Sequence, residues 1–108
     1  MLTDDARIAI LDRGLSAVRL IQAVRELNRE RGSSLRTVAL FVEADRDSFY
    51  VREADGSIGL GASVPGNDAI EAALTATGAS AAWAGWDPLG PGTEVEALCE
   101  RMGIELLG

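Results

Sequence analysis

The sequence predicts an α/β domain: an open parallel sheet of about five strands with helices on both faces. Three observations carry this expectation. Arg7-Ile8-Ala9-Ile10-Leu11 and Thr37-Val38-Ala39-Leu40-Phe41-Val42 are nearly unbroken apolar runs, the pattern of strands buried on both faces of a parallel sheet. Between them, apolar residues recur at three- and four-residue spacing, the mark of an amphipathic helix. Strand-like and helix-like segments then keep alternating to the end of the chain, as connected βαβ units do.

The first strand ends at the turn Asp12-Arg13-Gly14. From Leu15 a helix follows, with Ala17, Leu20, Ile21, Val24 and Leu27 as its apolar stripe and Arg19, Arg25, Glu26, Arg29 and Glu30 on its remaining surface. Gly32 suits its C-terminal stop. After the second strand come a polar turn, Glu43-Ala44-Asp45-Arg46-Asp47, a short segment to Ala54 and a third strand at Ile58-Gly59-Leu60-Gly61. Asn67 is placed as the N-cap of a helix over 68–77 that buries Ile70, Ala73 and Leu74 and closes at Gly78. Ser80 to Gly85 reads as a fourth strand of small residues. Thr93-x-x-Glu96 is a capping-box pattern for a last helix with the stripe Val95, Leu98, Cys99 and Met102. Gly103 ends that helix, and Ile104 to Leu107 is the fifth strand. The expected fold is thus Rossmann-like.

Composition narrows the chemistry. The 108 residues suit a single domain over 1–108. The absence of His removes the Ser-His-Asp triad, the Cys-His pair and imidazole metal ligands, and the absence of Lys removes Schiff-base and P-loop lysines. These absences argue against demanding covalent chemistry by this domain alone. A net charge of −7 argues against nucleic acid and against anionic membrane surfaces. A single cysteine, an acidic N-terminus and an Ala- and Arg-rich composition lead us to expect a cytoplasmic, bacterial domain. The end at Gly108, directly after a strand, leads us to expect a fragment of a longer chain.

The candidate sites each have a plain alternative. Asp12-Arg13-Gly14 falls at the carboxyl end of the first strand, where open α/β sheets place ligands, but it has one glycine where a dinucleotide fingerprint needs three. Local or interdomain hydrogen bonding is the reading preferred for it. Gly59-x-Gly61 is a weaker phosphate-loop candidate, far from any helix start. Glu43, Asp45 and Asp47 form an acidic cluster that reads as a solvated turn rather than an Mg²⁺ site. Trp83 reads as core or interdomain packing, Trp86 falls in a Gly- and Pro-rich loop, and Cys99 reads as a buried, inert thiol.

Taken in order, these fragments resemble the biotin carboxylase family. Ile8-Ala9-Ile10-Leu11-Asp12-Arg13-Gly14, Ala17-Val18-Arg19-Leu20-Ile21 and Arg25-Glu26-Leu27 follow that family's opening pattern I-A-N-R-G-E-I-A-x-R-I-x-R-A-x-x-E-L. Thr37-Val38-Ala39, Glu43-Ala44-Asp45-Arg46-Asp47 and Ala54-Asp55 stand where it has T-V-A-V-x-S-x-A-D-R-x-x-x-H-V-x-x-A-D-E. Glu100-Arg101-Met102-Gly103-Ile104 onward resembles its closing E-x-x-G-I-x-F-I-G. The likeness covers essentially the whole chain. The family's Asn is Asp12 here and its Glu is Leu15, extra residues lie around Arg29–Ser34, and its H-P-G-Y-G-F-L-S-E-N loop becomes Trp83 to Gly92. The tryptophan-rich loop suits a divergent branch, such as the large single-chain acyl-CoA carboxylases.

The resemblance implies the N-terminal, pre-ATP-grasp domain of a biotin-dependent carboxylase. It implies ATP, Mg²⁺, biotin and bicarbonate for the complete enzyme, acting through carboxyphosphate, with none of them bound by this domain alone. It places Gly85, Trp86 and Asp87 at the edge of the biotin pocket, and Asp12, Arg13 and Gly14 at the first strand–helix turn. Arg19, Gln22 and Glu26 fall on a dimer surface, where Gln22 replaces a family Arg. The implied partners are the ATP-grasp domain of the same chain, a biotin carboxyl carrier domain and a second copy. A free-standing interaction or small-ligand-binding domain of the same fold is the competing expectation.

Overall fold

The first strand, β1 (Arg7–Ile10), is the spine of the computed structural model, which describes residues 3–61, 66–84 and 92–107, with side chains omitted for 92–94. Ile8 and Ile10 point to one face and Ala9 and the following Leu11 to the other, and all four are at most 3% exposed. Burial on both faces explains why the run carries no alternating polar residues. Around β1 stand β2 (Arg36–Phe41), β3 (Gly56–Gly59), β4 (Ala81–Trp83) and β5 (Glu105–Leu107). All pairings are parallel, in the order β3-β2-β1-β4-β5. The chain builds outward from β1 to β3, then crosses back to start the other half of the sheet beside β1. The strand order therefore reverses between β1 and β4.

One face is covered by α1 (Gly14–Arg31) and α2 (Phe49–Glu53). Ala17, Ile21 and Val24 of α1 are buried against Ile8, Ile10 and Ala39, with Tyr50 and Val51 of α2 completing that layer. Leu20 and Leu27, expected in the same stripe, are half-buried at its margin. Helix α1 stops at Gly32, whose φ of +66° ends the turn, and Arg29 and Arg31 complement the negative end of the helix dipole. Residues 29–31 form the last turn of α1, and a clipped connection follows. Asn28 donates to the Leu35 carbonyl at 3.0 Å and accepts from the Leu35 N–H at 2.9 Å and the Ser33 hydroxyl at 2.8 Å.

The opposite face is covered by α3 (Asn67–Thr77) and α4 (Gly92–Met102). Ile70 and Leu74 of α3 meet Val95, Leu98 and Cys99 of α4 over Ala9, Leu11, Leu40 and Ala82. An Arg101–Glu71 ion pair at 2.9 Å joins the exposed sides of these two helices.

Several sequence expectations are corrected here. The third strand begins two residues earlier than expected, at Gly56, because Val38 to Phe41 pair with Gly56 to Gly59. Asn67 is the first helical residue rather than the cap; Gly66 holds the cap position, without a side-chain hydrogen bond. The stretch between the second and third strands contains a helix, α2, that its apolar spacing does not announce. The fourth strand ends at Trp83, and Gly85, its expected last residue, lies outside the described residues. Thr93 of the expected capping box likewise has no described side chain.

Leu74 is 1% exposed at the contact of α3 with the sheet. Leu74→Ala should cost about 2–5 kcal/mol, as buried Leu truncations do. The urea midpoint should fall with little change in slope; an unchanged midpoint would show that the α3 layer contributes little to stability.

Candidate functional site

The carboxyl ends of β1 and β2 meet at one charged cluster. Asp12, two residues past the end of β1 and fully buried, accepts the Arg13 backbone N–H on Oδ1 at 2.8 Å. Arg13 is extended, and Gly14 follows at φ +67°, a left-handed conformation that favours glycine. The turn aims the Arg13 guanidinium across to a single 3₁₀ turn, Glu43–Asp45, that follows β2. There Nε and Nη2 donate to the two oxygens of Asp45 at 2.6 and 2.9 Å, a bidentate fork. The Tyr50 hydroxyl, carried by α2, donates to the same carboxylate at 2.9 Å.

The electrostatics follow from this geometry. The hydrogen bonds from Arg13, assisted by Tyr50, outweigh partial burial and hold the Asp45 carboxyl below its usual pKa. Burial, and then the Asp45 carboxylate itself, push the Tyr50 phenol above its ordinary value. On the outer side Arg46 forks onto Glu43 with two bonds of 2.8 Å, which lowers the Glu43 carboxyl. Arg46 also lies over the Phe41 ring, 5.7 Å from its centroid.

Two clefts flank the start of α1. One, of about 620 Å³, opens between α1 and α2; Leu15 and Phe49 form its lips and Arg13, Asp45 and Tyr50 its base. Leu15 and Phe49 are 64% and 55% exposed, the two large exposed hydrophobic residues among those described. The other, of about 720 Å³, runs along α1 past Ser16, Arg19 and Leu20 to Trp83. Trp83 is half-buried and its indole N–H makes a long contact, 3.4 Å, with the Ser16 hydroxyl.

The sequence-derived candidates fare unevenly. Arg13 and Gly14 line both clefts, Asp12 is buried beside them, and the preferred hydrogen bonding is present. The turn does not fit a nucleotide's phosphates, because its one arginine is committed to Asp45 and a buried carboxylate stands beside it. The reading of Asp45 as part of a solvated turn is corrected: it is 8% exposed and bonded to a residue 32 positions earlier. Nor does the acidic cluster fit Mg²⁺, since Glu43 and Asp45 each hold an arginine and no metal-binding group forms among the described residues.

Gly59 serves packing, since a Cβ there would come within 3.3 Å of the Phe41 ring. Burial raises the Cys99 thiol pKa, in keeping with an inert role. Gly85, Trp86 and Asp87 lie outside the described residues. Arg19, Gln22 and Glu26 share an exposed side of α1. Sequence reading missed Tyr50 and the cleft lips Leu15 and Phe49. The available signal was an apolar residue at each lip position outside any helical stripe.

A parallel sheet whose order reverses between β1 and β4, with clefts at the strands' carboxyl ends, defines a doubly wound α/β domain. This chain belongs to the family of the biotin carboxylase N-terminal domain, whose description matches residues 4–108. It is 30% identical to a pyruvate carboxylase polypeptide of Methanothermobacter thermautotrophicus, over 95% of this chain and 21% of that protein. It is 30% identical to biotin carboxylase 1 of Bacillus subtilis, over 94% of this chain and 22% of that one. Its fold superposes on the Campylobacter jejuni biotin carboxylase, solved as a beta-gamma-ATP complex, with a TM-score of 0.74, 28% identity and coverage of 94% and 23%. The chain thus spans about a fifth of these relatives. Relatives also include a mitochondrial methylcrotonoyl-CoA carboxylase of Arabidopsis thaliana, so the similarity does not mark a bacterial source.

Asp45→Asn should destabilise the domain by about 2 kcal/mol at neutral pH, the usual scale for charge-assisted hydrogen bonds. Because folding lowers the Asp45 pKa, its stabilisation is present above the unfolded value of about 3.9 and is lost as pH falls through the folded value. The gap between urea melts of the two proteins should therefore begin to narrow below about pH 4 and close once the pH has passed the lower, folded value; a gap that does not narrow with falling pH would place the effect elsewhere.

Proposed function

We propose that this chain is the first wall of a biotin-dependent carboxylase, with no catalysis of its own. The observation that carries the reading is the family match over residues 4–108, joined to clefts that open on the carboxyl side of the sheet with apolar lips at Leu15 and Phe49. In the complete enzyme, ATP, Mg²⁺ and bicarbonate would carboxylate biotin through carboxyphosphate. The ATP-grasp domain of the same polypeptide would cover the Leu15–Phe49 cleft, and a biotin carboxyl carrier domain would deliver biotin near Gly85, Trp86 and Asp87. Burial of those lips would remove the largest apolar exposure on the described surface. Among the described residues no helix is long and apolar enough to cross a membrane, and we read the location as the cytoplasm. The family match favours this reading over a free-standing domain.

Calorimetric titration of the isolated chain with Mg-ATP, and then with free biotin, should give no heat of binding for either. Micromolar binding of either would show a ligand site of its own and overturn the reading. A chimera tests the positive side: residues 4–108 replacing the matching stretch of the Bacillus subtilis biotin carboxylase should retain bicarbonate-dependent ATP cleavage. A folded but inactive chimera would count against the proposed wall.

The charge pattern of α1 favours a second copy as a further partner. Arg19 and Glu26 are exposed, two turns apart, and neither has an ion-pair partner among the described residues. Two such helices packed antiparallel about a two-fold axis near Gln22 would set each Arg19 against the other copy's Glu26, the self-matching arrangement of an isologous interface. Sedimentation equilibrium should show association weakened by Arg19→Glu and regained in Arg19→Glu/Glu26→Arg. Equal association in all three proteins would remove α1 from the interface.

A further inference from the structure

At the other end of the sheet, the amino ends of the strands carry a cationic groove unrelated to the α1 clefts. Arg7 opens β1 and Arg36 opens β2, and the two are Cα partners in the parallel register. Register partners on neighbouring strands project from the same face, here the α3 face. The two arginines line a groove of about 260 Å³ with Val38 as part of its floor and Asp55, Ser57 and Thr77 around it.

Both arginines are exposed, and neither forms an ion pair among the described residues. Arg7 donates through Nη1 to the Thr77 carbonyl at 3.2 Å, which holds its guanidinium against the last turn of α3. The same nitrogen lies 3.1 Å from the point a Cβ on Gly78 would occupy, so the glycine leaves room for it. The Arg36 guanidinium has no hydrogen-bond partner among the described residues. Asp55 contributes one negative charge, but its Oδ2 is engaged by the Thr37 N–H at 2.8 Å and the Thr37 hydroxyl at 3.3 Å.

Like charges at adjacent cross-strand positions repel. A chain with 17 acidic residues against 10 arginines nevertheless sets two cations side by side with no ion pair to either among the described residues. Two planar forks lining one groove match an anion with more than two acceptor oxygens. The groove is smaller than the usual small-molecule pocket, which favours a compact anion over a nucleotide. We propose that it binds a phosphate-type oxyanion, either free phosphate or the phosphoryl group of a small phosphate ester, between Arg7 and Arg36.

The test is a titration of the ¹⁵N-labelled chain with inorganic phosphate at constant ionic strength, with chloride as the balancing salt. Saturable shifts of the Arg7, Arg36 and Ser57 amides are expected, with a dissociation constant in the millimolar range. Arg36→Gln alters an exposed side chain and should leave the thermal melt unchanged while weakening binding about tenfold. Arg46→Gln, at the opposite end of the sheet, should bind as the parent does. Glycerol phosphate acting at the same amides would identify the ester as a ligand, and a response to inorganic phosphate alone would identify the free ion. Shifts reproduced by chloride, or binding undiminished in Arg36→Gln, would overturn the proposal.

Discussion

The Asp45 carboxylate receives three donors from two directions, two from the Arg13 guanidinium and one from the Tyr50 phenol. Its donors come from the turn after β1 and from α2, while Asp45 itself ends the 3₁₀ turn after β2. The turn after β1 is thereby held to the 3₁₀ turn and to α2, which the Ser48 N–H already joins by donating to the Asp45 carbonyl at 2.8 Å, at the end of the sheet where the clefts open. The position of Leu15 depends on it, because Leu15 follows the Arg13–Gly14 turn directly, and so does Phe49, the neighbour of Tyr50. In an acidic chain without lysine, a bidentate arginine is the strongest tie available for this purpose.

That arrangement explains which parts of the molecule can be read in advance. β1 and β2 are legible because strands buried on both faces must be apolar at every position. α1 and α4 are legible because each covers one face of the sheet and needs a stripe. α2 escapes because a helix of 5 residues is too short to show a period; burial of Tyr50 and Val51 settles it rather than propensity. β3 is displaced because its glycines carry no pattern, and its register is set by pairing with Val38 to Phe41. Asp45 is misleading for a related reason: in sequence it sits among Glu43, Arg46 and Asp47, the composition of a solvated turn. Only the three-dimensional approach of Arg13 turns it inward.

The departures from the family pattern acquire physical meaning in the same way. The pattern's histidine three residues beyond A-D-R-x falls on Tyr50, whose hydroxyl donates to the Asp45 carboxylate. The family Glu replaced by Leu15 leaves the first turn of α1 without an acidic residue and gives the adjoining cleft an apolar lip instead. The residues added around Arg29–Ser34 fall in the last turn of α1 and in the connection clipped by Asn28, and β2 enters the sheet in register with β1. Each change is local, and the strand order is untouched.

Cys99 is fully buried between α4 and the sheet, and it is the one cysteine of the chain. Its thiol therefore meets solvent only when the α3–α4 layer lifts, so the rate at which a small alkylating reagent modifies it follows the population of that opened state. The molecule carries an internal clock for the loosening of one of its two layers. The Arg13–Asp45 tie lies at the end of the sheet nearer the other layer, so the two halves can be followed separately.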